Sequence, residues 1–180
     1  SLRSKKYKSP IILISSLNLF KFYMKKFNNN KPINLIDYKK INYNKLKKNN
    51  INFINVDLKL NKNKKKITNK SNIFIKKSFE IGFEVMKTLK SNKLINGPIS
   101  KKNFLGKKYP GMTEYIAKKY NVNKFAMLIY NKKLSVCPLT THVPIKKVTQ
   151  FITKKSILEK VKLINNFYIK YRKFNPRIGI

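Results

Sequence analysis

An alternation of strand-sized apolar runs with helically spaced segments is the feature that most constrains how this chain can fold. Residues 9–15 form a continuous run of β-branched residues and leucine behind a proline, a pattern typical of a buried strand. Residues 17–27 follow with apolar side chains at helical spacing, and residues 32–36 and 51–58 predict two more strands. Strands that alternate with helices predict an α/β fold.

The second half of the chain continues this alternation. Helical spacing predicts further helices over residues 71–90, 113–120 and 153–171. Apolar runs predict further strands over residues 94–95, 124–130, 133–139 and 176–180, and Asn131 with Lys132 predicts a tight hairpin turn. Residue type predicts helix caps at Ser15 or Ser16, at Ser71 or Asn72, and at Thr113. With no internal repeat and no low-complexity linker, we predict one α/β region over residues 1–180, a mixed sheet flanked by helices.

The formal net charge of +37 raises the question of a nucleic-acid partner. Only three of the 43 basic residues are arginine, although bidentate arginine contacts dominate specific phosphate and base recognition. The lysines are also spread over nearly every segment, and Lys and Asn are abundant where Ala and Gly are scarce. We therefore predict a solvated surface shaped by compositional bias and no nucleic-acid partner; a basic nucleic-acid-binding module is the alternative from another functional class.

Several further features bear on location and completeness. No apolar run reaches the roughly 18 residues that a membrane span needs, and no signal peptide is visible, so no membrane partner is predicted. Cys137 is the single cysteine, which fits a reducing cytoplasm. The chain opens at Ser1 without a methionine and stops within an apolar run, so we expect an internal fragment of a longer enzyme.

Polar and turn-forming residues concentrate in two stretches that predict a site. One is the segment 137–144, in which a strand leads into Thr140, Thr141 and the single histidine, His142; the other comprises residues 97–101 and 109–114. Ligands of α/β folds gather beyond the carboxyl ends of strands, where both stretches are predicted to lie. Neutral imidazole is a common metal ligand, but a catalytic metal takes about three protein ligands, so His142 alone predicts either a ligand or a structural residue.

The other candidates also have two interpretations each. Thr113, at the start of a predicted helix, either holds a phosphate together with the helix amides or simply caps the helix. Lys101 either pairs with a phosphate or is one more surface lysine. Cys137 is predicted to pack as a small apolar residue and not as an activated thiol.

Four ordered motifs carry a family resemblance. Residues 94–101 (LINGPISK), 109–115 (YPGMTEY), 139–145 (LTTHVPI) and 175–178 (NPRI) resemble those of the 4-hydroxythreonine-4-phosphate dehydrogenase family of pyridoxal phosphate biosynthesis. The resemblance implies part of a two-lobed fold like that of isocitrate and isopropylmalate dehydrogenases, working as a cytoplasmic homodimer with NAD and a divalent metal (Zn, Mg or Co). It also implies oxidation of the secondary hydroxyl of 4-phosphooxy-L-threonine, a small phosphorylated substrate, followed by loss of CO2.

The same resemblance assigns roles to single residues. His142 corresponds to the first of three metal-binding histidines, and Thr113 to the threonine of a Gly-His-Thr-Glu substrate-binding motif. Met112 stands where that motif has its histidine, so a related phosphorylated hydroxy-acid dehydrogenase is the nearest alternative. Catalytic and nucleotide-binding residues stay unassigned. With one metal ligand of three, these 180 residues are expected to be inactive alone.

Overall fold

The structure is a computed structural model that describes residues 9–58, 69–106 and 108–180. The chain divides into two compact units, Ser1–Phe104 and Leu105–Ile180.

A three-stranded parallel sheet forms the centre of the first unit. Its strands are β1 (Ile12–Ser15), β2 (Ile33–Leu35) and β3 (Ile51–Asn55), in the spatial order β1-β3-β2. Helix α1 (Leu17–Lys26) follows β1, as parallel strands require a crossover. These elements confirm the predicted strands and helix, although each strand is shorter than the segment predicted for it.

The core of this unit packs the central strand β3 against helix α2 (Asn69–Thr88). Phe53 and Ile54 of β3 are fully buried, and the ring of Phe20 lies 5.0 Å from that of Phe53. Ile81 and Val85 of α2 join Ile54 in one buried cluster. Because β3 is covered on both faces, its first four residues are all buried, the polar Asn52 among them.

Asn52 is a buried polar residue in the middle of β3. Its side-chain amide donates to the carbonyl oxygens of Ile11 (3.3 Å) and Lys47 (3.0 Å). Its carbonyl oxygen accepts from the backbone N–H of Lys47 (2.8 Å) and from the side chain of Asn34 (2.9 Å). All of its hydrogen-bonding capacity is therefore used, as burial of an amide demands.

The helix caps differ from those predicted. Ser16 occupies the N-cap position of α1 but makes no side-chain cap bond, and Asn55 of β3 instead accepts from the backbone N–H of Leu17 (2.9 Å). Helix α2 begins at Asn69, so the predicted caps Ser71 and Asn72 were wrong and lie inside the helix. The region 37–50, left unassigned by the sequence, forms two 3-10 turns, at Tyr38–Lys40 and Tyr43–Lys45.

Helices supply the regular structure of the second unit. Helix α3 (Lys101–Leu105) spans the boundary between the units, and it is followed by α4 (Met112–Lys119), α5 (Ile145–Phe151) and α6 (Lys154–Arg172). Thr153 and Ser156 form a reciprocal capping box at the start of α6, and Tyr168 of α6 donates to Ser135 Oγ (2.9 Å). The predicted helices 113–120 and 153–171 are thus confirmed, whereas α3 and α5 were not predicted.

The predicted hairpin of residues 124–139 is reduced to one antiparallel pair, Ile129 with Val136. Both side chains are more than half exposed, so this pair has no buried face that would stabilise further strand pairing. The predicted strands 94–95 and 176–180 are also wrong, and Ile95 and Ile180 are each 94% exposed. The predicted mixed sheet is therefore wrong for the described residues: their strands are all parallel, while the α/β class is confirmed.

Among the described residues, no helix is long and apolar enough to cross a membrane.

Candidate functional site

The start of helix α4 and the segment that leads into α5 form a polar cluster in the second unit. Gly111 is the N-cap residue of α4 and has an extended backbone (φ −155°). Thr113 is therefore the second residue of the helix, and its predicted capping role is wrong. Glu114 lies in the first turn, where its negative charge favours the positive end of the helix, as predicted.

The absence of a side chain at Gly111 leaves space that the side chains of Glu114 and His142 occupy. A Cβ atom at this position would lie 2.6 Å from Glu114 Oε2 and 3.1 Å from His142 Nε2. Real Cβ atoms essentially never approach a heavy atom as closely as 2.6 Å. The carboxylate and the imidazole therefore lie over the same side of the Gly111 backbone, and a side chain at this position would require the flexible end of Glu114 to move.

The loop before α5 adds a hydroxyl to this cluster. Thr141 Oγ1 donates to Glu114 Oε1 at 3.2 Å, which ties the loop to the first turn of α4. The next residue, His142, has a left-handed backbone (φ 57°), which costs free energy for a side chain other than glycine but is tolerated better by histidine than by most. His142 is exposed, and Pro144 precedes the first residue of α5.

The described residues do not by themselves fit a catalytic metal. No group of three or more His, Cys, Asp or Glu side chains lies close enough to hold an ion within residues 9–58, 69–106 and 108–180. His142 and Glu114 offer an imidazole and a carboxylate, whereas a catalytic zinc takes about three protein ligands. A catalytic metal at this cluster would need further ligands from residues other than those described.

Met112 and Thr113 are the first two residues of α4 and are both half-buried. Gly111 has no side chain with which to cap the helix, so the first-turn amides receive no side-chain acceptor from their cap residue. Such amides favour a phosphate or carboxylate oxygen. The position of Thr113 beside them suits a substrate contact, which stays a prediction.

The remaining candidates belong to the first unit or do not suit catalysis. Gly97 and Pro98 belong to the first unit, so their convergence with His142 stays a prediction. Lys101 is the exposed first residue of α3. Burial raises the pKa of the Cys137 thiol more than Lys160 lowers it, which agrees with an apolar packing role and not with an activated thiol.

Sequence reasoning missed the parts played by Thr141 and Gly111. It assigned Glu114 only to the helix dipole, because the Thr141–Glu114 bond joins residues 27 positions apart. The available indication was local: a glycine immediately before a predicted helix, and a pair of threonines immediately before the single histidine.

One unit has a parallel sheet flanked by helices, and the other has an imidazole, a carboxylate and a hydroxyl near a helix start, so the chain is an α/β protein with a polar cluster as its candidate site. Residues 6–180 match the model of the family described as pyridoxal phosphate biosynthetic protein PdxA. The chain belongs to this family.

Individual proteins agree with the family match. The chain is 34% identical over 133 residues to a 4-hydroxythreonine-4-phosphate dehydrogenase of a Sulfurihydrogenibium species, covering 72% of this chain and 40% of that protein. It is 29% identical over 75 residues to a D-threonate 4-phosphate dehydrogenase of Pectobacterium atrosepticum, covering 42% of this chain and 23% of that protein. The chain thus spans less than half the length of these curated relatives.

A solved structure shows the same fold. The crystal structure of 4-hydroxythreonine-4-phosphate dehydrogenase from Klebsiella pneumoniae matches with a TM-score of 0.63 at 18% identity. The match covers 92% of this chain and 51% of that one.

Proposed function

We propose that this chain forms part of an oxidoreductase of pyridoxal phosphate biosynthesis that oxidises 4-phosphooxy-L-threonine with NAD. The family match over residues 6–180 is the observation that carries the proposal. NAD, when bound, would supply the hydride acceptor for oxidation of the secondary alcohol, with the hydroxyl proton passing to solvent, and the resulting β-keto acid would lose CO2. The chain's share of this work is to bind and orient the phosphorylated substrate.

Substrate binding is assigned to the start of α4. The Thr113 hydroxyl and the first-turn amides of α4 offer hydrogen-bond donors to the anionic substrate. Met112 presents a thioether where the family motif has a histidine, so it contributes packing and no strong hydrogen bond.

His142 is proposed as one ligand of a divalent metal (Zn, Mg or Co). When bound, such a metal supplies Lewis acidity toward the substrate oxygens. The described residues hold a single imidazole and no group of three ligands, so the proposed metal centre needs ligands beyond those described. We further propose that the enzyme is a cytoplasmic homodimer and that the 180-residue chain has no turnover alone.

A chimera tests the proposed function directly. The matching segment of the Sulfurihydrogenibium dehydrogenase would be replaced by this chain and assayed with 4-phosphooxy-L-threonine, NAD and Zn²⁺, Mg²⁺ or Co²⁺ by NADH absorbance. We expect turnover in the chimera, none in the 180-residue chain, and a loss of at least roughly 100-fold with His142→Ala in the chimera. An active 180-residue chain would contradict the inactivity proposed for it, and an unaffected H142A chimera would contradict the metal role.

Met112 favours a second candidate, a dehydrogenase of a related phosphorylated hydroxy acid such as D-threonate 4-phosphate. The relative from Pectobacterium atrosepticum carries that name. Comparing the kcat/KM of the chimera for the two substrates separates the candidates.

Met112→His should raise kcat/KM for 4-phosphooxy-L-threonine by roughly 10-fold, because a hydrogen bond to a charged group contributes about 1.5–3 kcal/mol. Met127→His, a matched change at an exposed methionine of the same unit, is the control and should have no effect. Preference of the unmodified chimera for D-threonate 4-phosphate would establish the second candidate.

A further inference from the structure

A cavity of about 330 Å³ lies beside helix α4 in the second unit. Its lining combines a carboxylate and an amine with two side-chain amides and an apolar part, in that order Glu114, Lys118, Asn121, Asn123, Ala117 and Phe125. Glu114 also belongs to the polar cluster at the start of α4. The cavity therefore shares a residue with the candidate site and offers groups of both charges.

The wall of this cavity is formed where the chain turns back after α4. Asn121 has a left-handed backbone (φ 53°), and the backbone N–H of Val122 donates to the carbonyl oxygen of Ala117 at 2.8 Å. Lys160 of α6 donates to the carbonyl oxygen of Phe125 at 2.6 Å, and its amine lies 5.5 Å from the centre of the Phe125 ring. Hydrogen bonds to the backbone thus hold both ends of the segment 121–125.

The two charged groups of the cavity do not neutralise each other. Glu114 and Lys118 are four residues apart on α4, the spacing at which Glu and Lys commonly pair. Across residues 9–58, 69–106 and 108–180, however, no Lys or Arg nitrogen lies within 4.0 Å of the Glu114 carboxylate. Glu159, the other carboxylate of this unit, does have such a partner, Lys124 at 3.5 Å.

Glu114 is a half-buried carboxylate whose charge has no described counter-charge. Its Oε1 accepts from the neutral hydroxyl of Thr141 at 3.2 Å. A carboxylate that is partly withdrawn from water gains most from a charged donor. In a chain with 43 basic and six acidic residues, the absence of a lysine here leaves this position to a cationic group of a ligand.

We propose that the cavity beside α4 selects an α-amino acid, with the ligand's ammonium group on Glu114 and its carboxylate on Lys118. An ammonium group only donates hydrogen bonds and a carboxylate only accepts them, so both contacts are charge-assisted. 4-Phosphooxy-L-threonine carries both groups, whereas D-threonate 4-phosphate has a hydroxyl in place of the ammonium. That the amino acid is the substrate rests on the proposed function, whereas the preference for a zwitterion stands on the cavity alone.

NMR titration of the ¹⁵N-labelled 180-residue chain measures this preference without turnover. The probes are 4-phosphooxy-L-threonine and D-threonate 4-phosphate, and the resonances of Asn121 and Asn123 report on the cavity. We expect the amino acid to shift both residues and to bind at least roughly 10-fold more tightly than the hydroxy acid. Equal affinities, tighter binding of the hydroxy acid, or unshifted Asn121 and Asn123 resonances would overturn the proposal.

Glu114→Gln removes the charge and keeps an oxygen that can accept from Thr141, so it should abolish the preference for the amino acid. Glu84→Gln, the same change at an exposed position of α2, is the control and should retain it. Should E114Q be unfolded by circular dichroism, Lys118→Met must weaken binding of both probes, while Lys119→Met must not. A folded E114Q variant with the wild-type preference, or a K118M variant with wild-type affinity, would overturn the proposal.

The chimera described above separates this proposal from the proposed function. There, Glu114→Gln should lower kcat/KM for 4-phosphooxy-L-threonine by at least roughly 10-fold, and by more than it lowers kcat/KM for D-threonate 4-phosphate. An active chimera that Glu114→Gln leaves unaffected would overturn the role of Glu114. A preference for the amino acid in the 180-residue chain together with an inactive chimera would uphold the cavity and count against the proposed function.

Discussion

The two compact units are held by different kinds of interaction. In the first, one buried apolar cluster joins the sheet to α2, with Ile54, Val56 and Ile81 all at most 4% exposed. In the second, the described buried apolar residues are few: Leu105, Tyr115, Ala117 and Tyr168. Individual side-chain hydrogen bonds, such as those from Thr141 to Glu114 and from Tyr168 to Ser135, therefore contribute more to the structure of this unit. The candidate site therefore lies in the unit whose geometry depends more on single hydrogen bonds than on a large core.

The largest expected effect is in the first unit. Asn52→Leu removes a fully buried amide together with its four hydrogen bonds to partly buried partner groups, so we expect the free energy of unfolding to fall by about 3 kcal/mol. Urea unfolding followed by circular dichroism measures it. Asn44→Leu, at an exposed position of the same unit, should change it by less than about 0.5 kcal/mol. Equal effects of both substitutions would show that the Asn52 network does not secure the sheet.

The next effect is in the second unit and acts on the site. Gly111→Ala places a Cβ 2.6 Å from Glu114 Oε2 and 3.1 Å from His142 Nε2, so the flexible end of the carboxylate must shift and the imidazole must give slightly, at a cost of about 1 kcal/mol. Calorimetric unfolding and the His142 ring resonances would both change. Gly179→Ala, which meets nothing within 4 Å, is the control. A Gly111→Ala variant with wild-type His142 resonances would refute the close approach at this glycine.

A smaller effect is expected from a single cap. Thr153→Ala removes the hydroxyl that accepts from the backbone N–H of Ser156 (3.1 Å), so α6 should lose about 1 kcal/mol of stability. Ser16→Ala at the start of α1 should cost less in hydrogen bonding, because Ser16 makes no side-chain cap bond. Thermal unfolding compares the two, and a larger loss with Ser16→Ala would reverse this order.

The smallest effect concerns the thiol. Because burial raises the pKa of Cys137 and Lys160 lowers it in part, Cys137 should react with iodoacetamide several-fold more slowly than free cysteine near neutral pH. Lys160→Met should slow the reaction further, since the lowering charge is gone. Alkylation followed by mass spectrometry measures both rates, and reaction faster than free cysteine would show an activated thiol.

The sequence predicted the elements whose cause is local. The strand around residues 12–15 follows from a continuous apolar run, the strand around residues 51–55 from an irregular alternation of apolar and polar residues, and α6 from its helical spacing. The hairpin predicted over residues 124–139 failed because apolar runs form paired strands only where one face is covered, and Ile129 and Val136 are both exposed. Strand pairing is decided by tertiary context, which periodicity does not contain.

The candidate site was only partly predictable for the same reason. His142, Thr113 and Met112 were found from motif order, but the bond from Thr141 to Glu114 depends on how two distant segments meet. The N-cap hydrogen bond of α1 is a similar case. Residue type indicated Ser16 as the acceptor, whereas the observed acceptor is Asn55 of β3, 38 positions after the donor Leu17. Local sequence indicates that a cap is needed and does not indicate which residue will reach it.

The strand order of the first unit has a consequence for synthesis on the ribosome. Strands β1 and β2 each pair with β3 and not with each other. The backbone N–H of Leu17, the first residue of α1, also donates to Asn55 of β3. Until β3 has been synthesised, β1 and β2 are therefore apolar strands that have no partner in this sheet. A nascent chain that ends before Ile51 is the one most exposed to aggregation or chaperone capture through these strands, and they gain their partner when the segment Ile51–Asn55 leaves the exit tunnel.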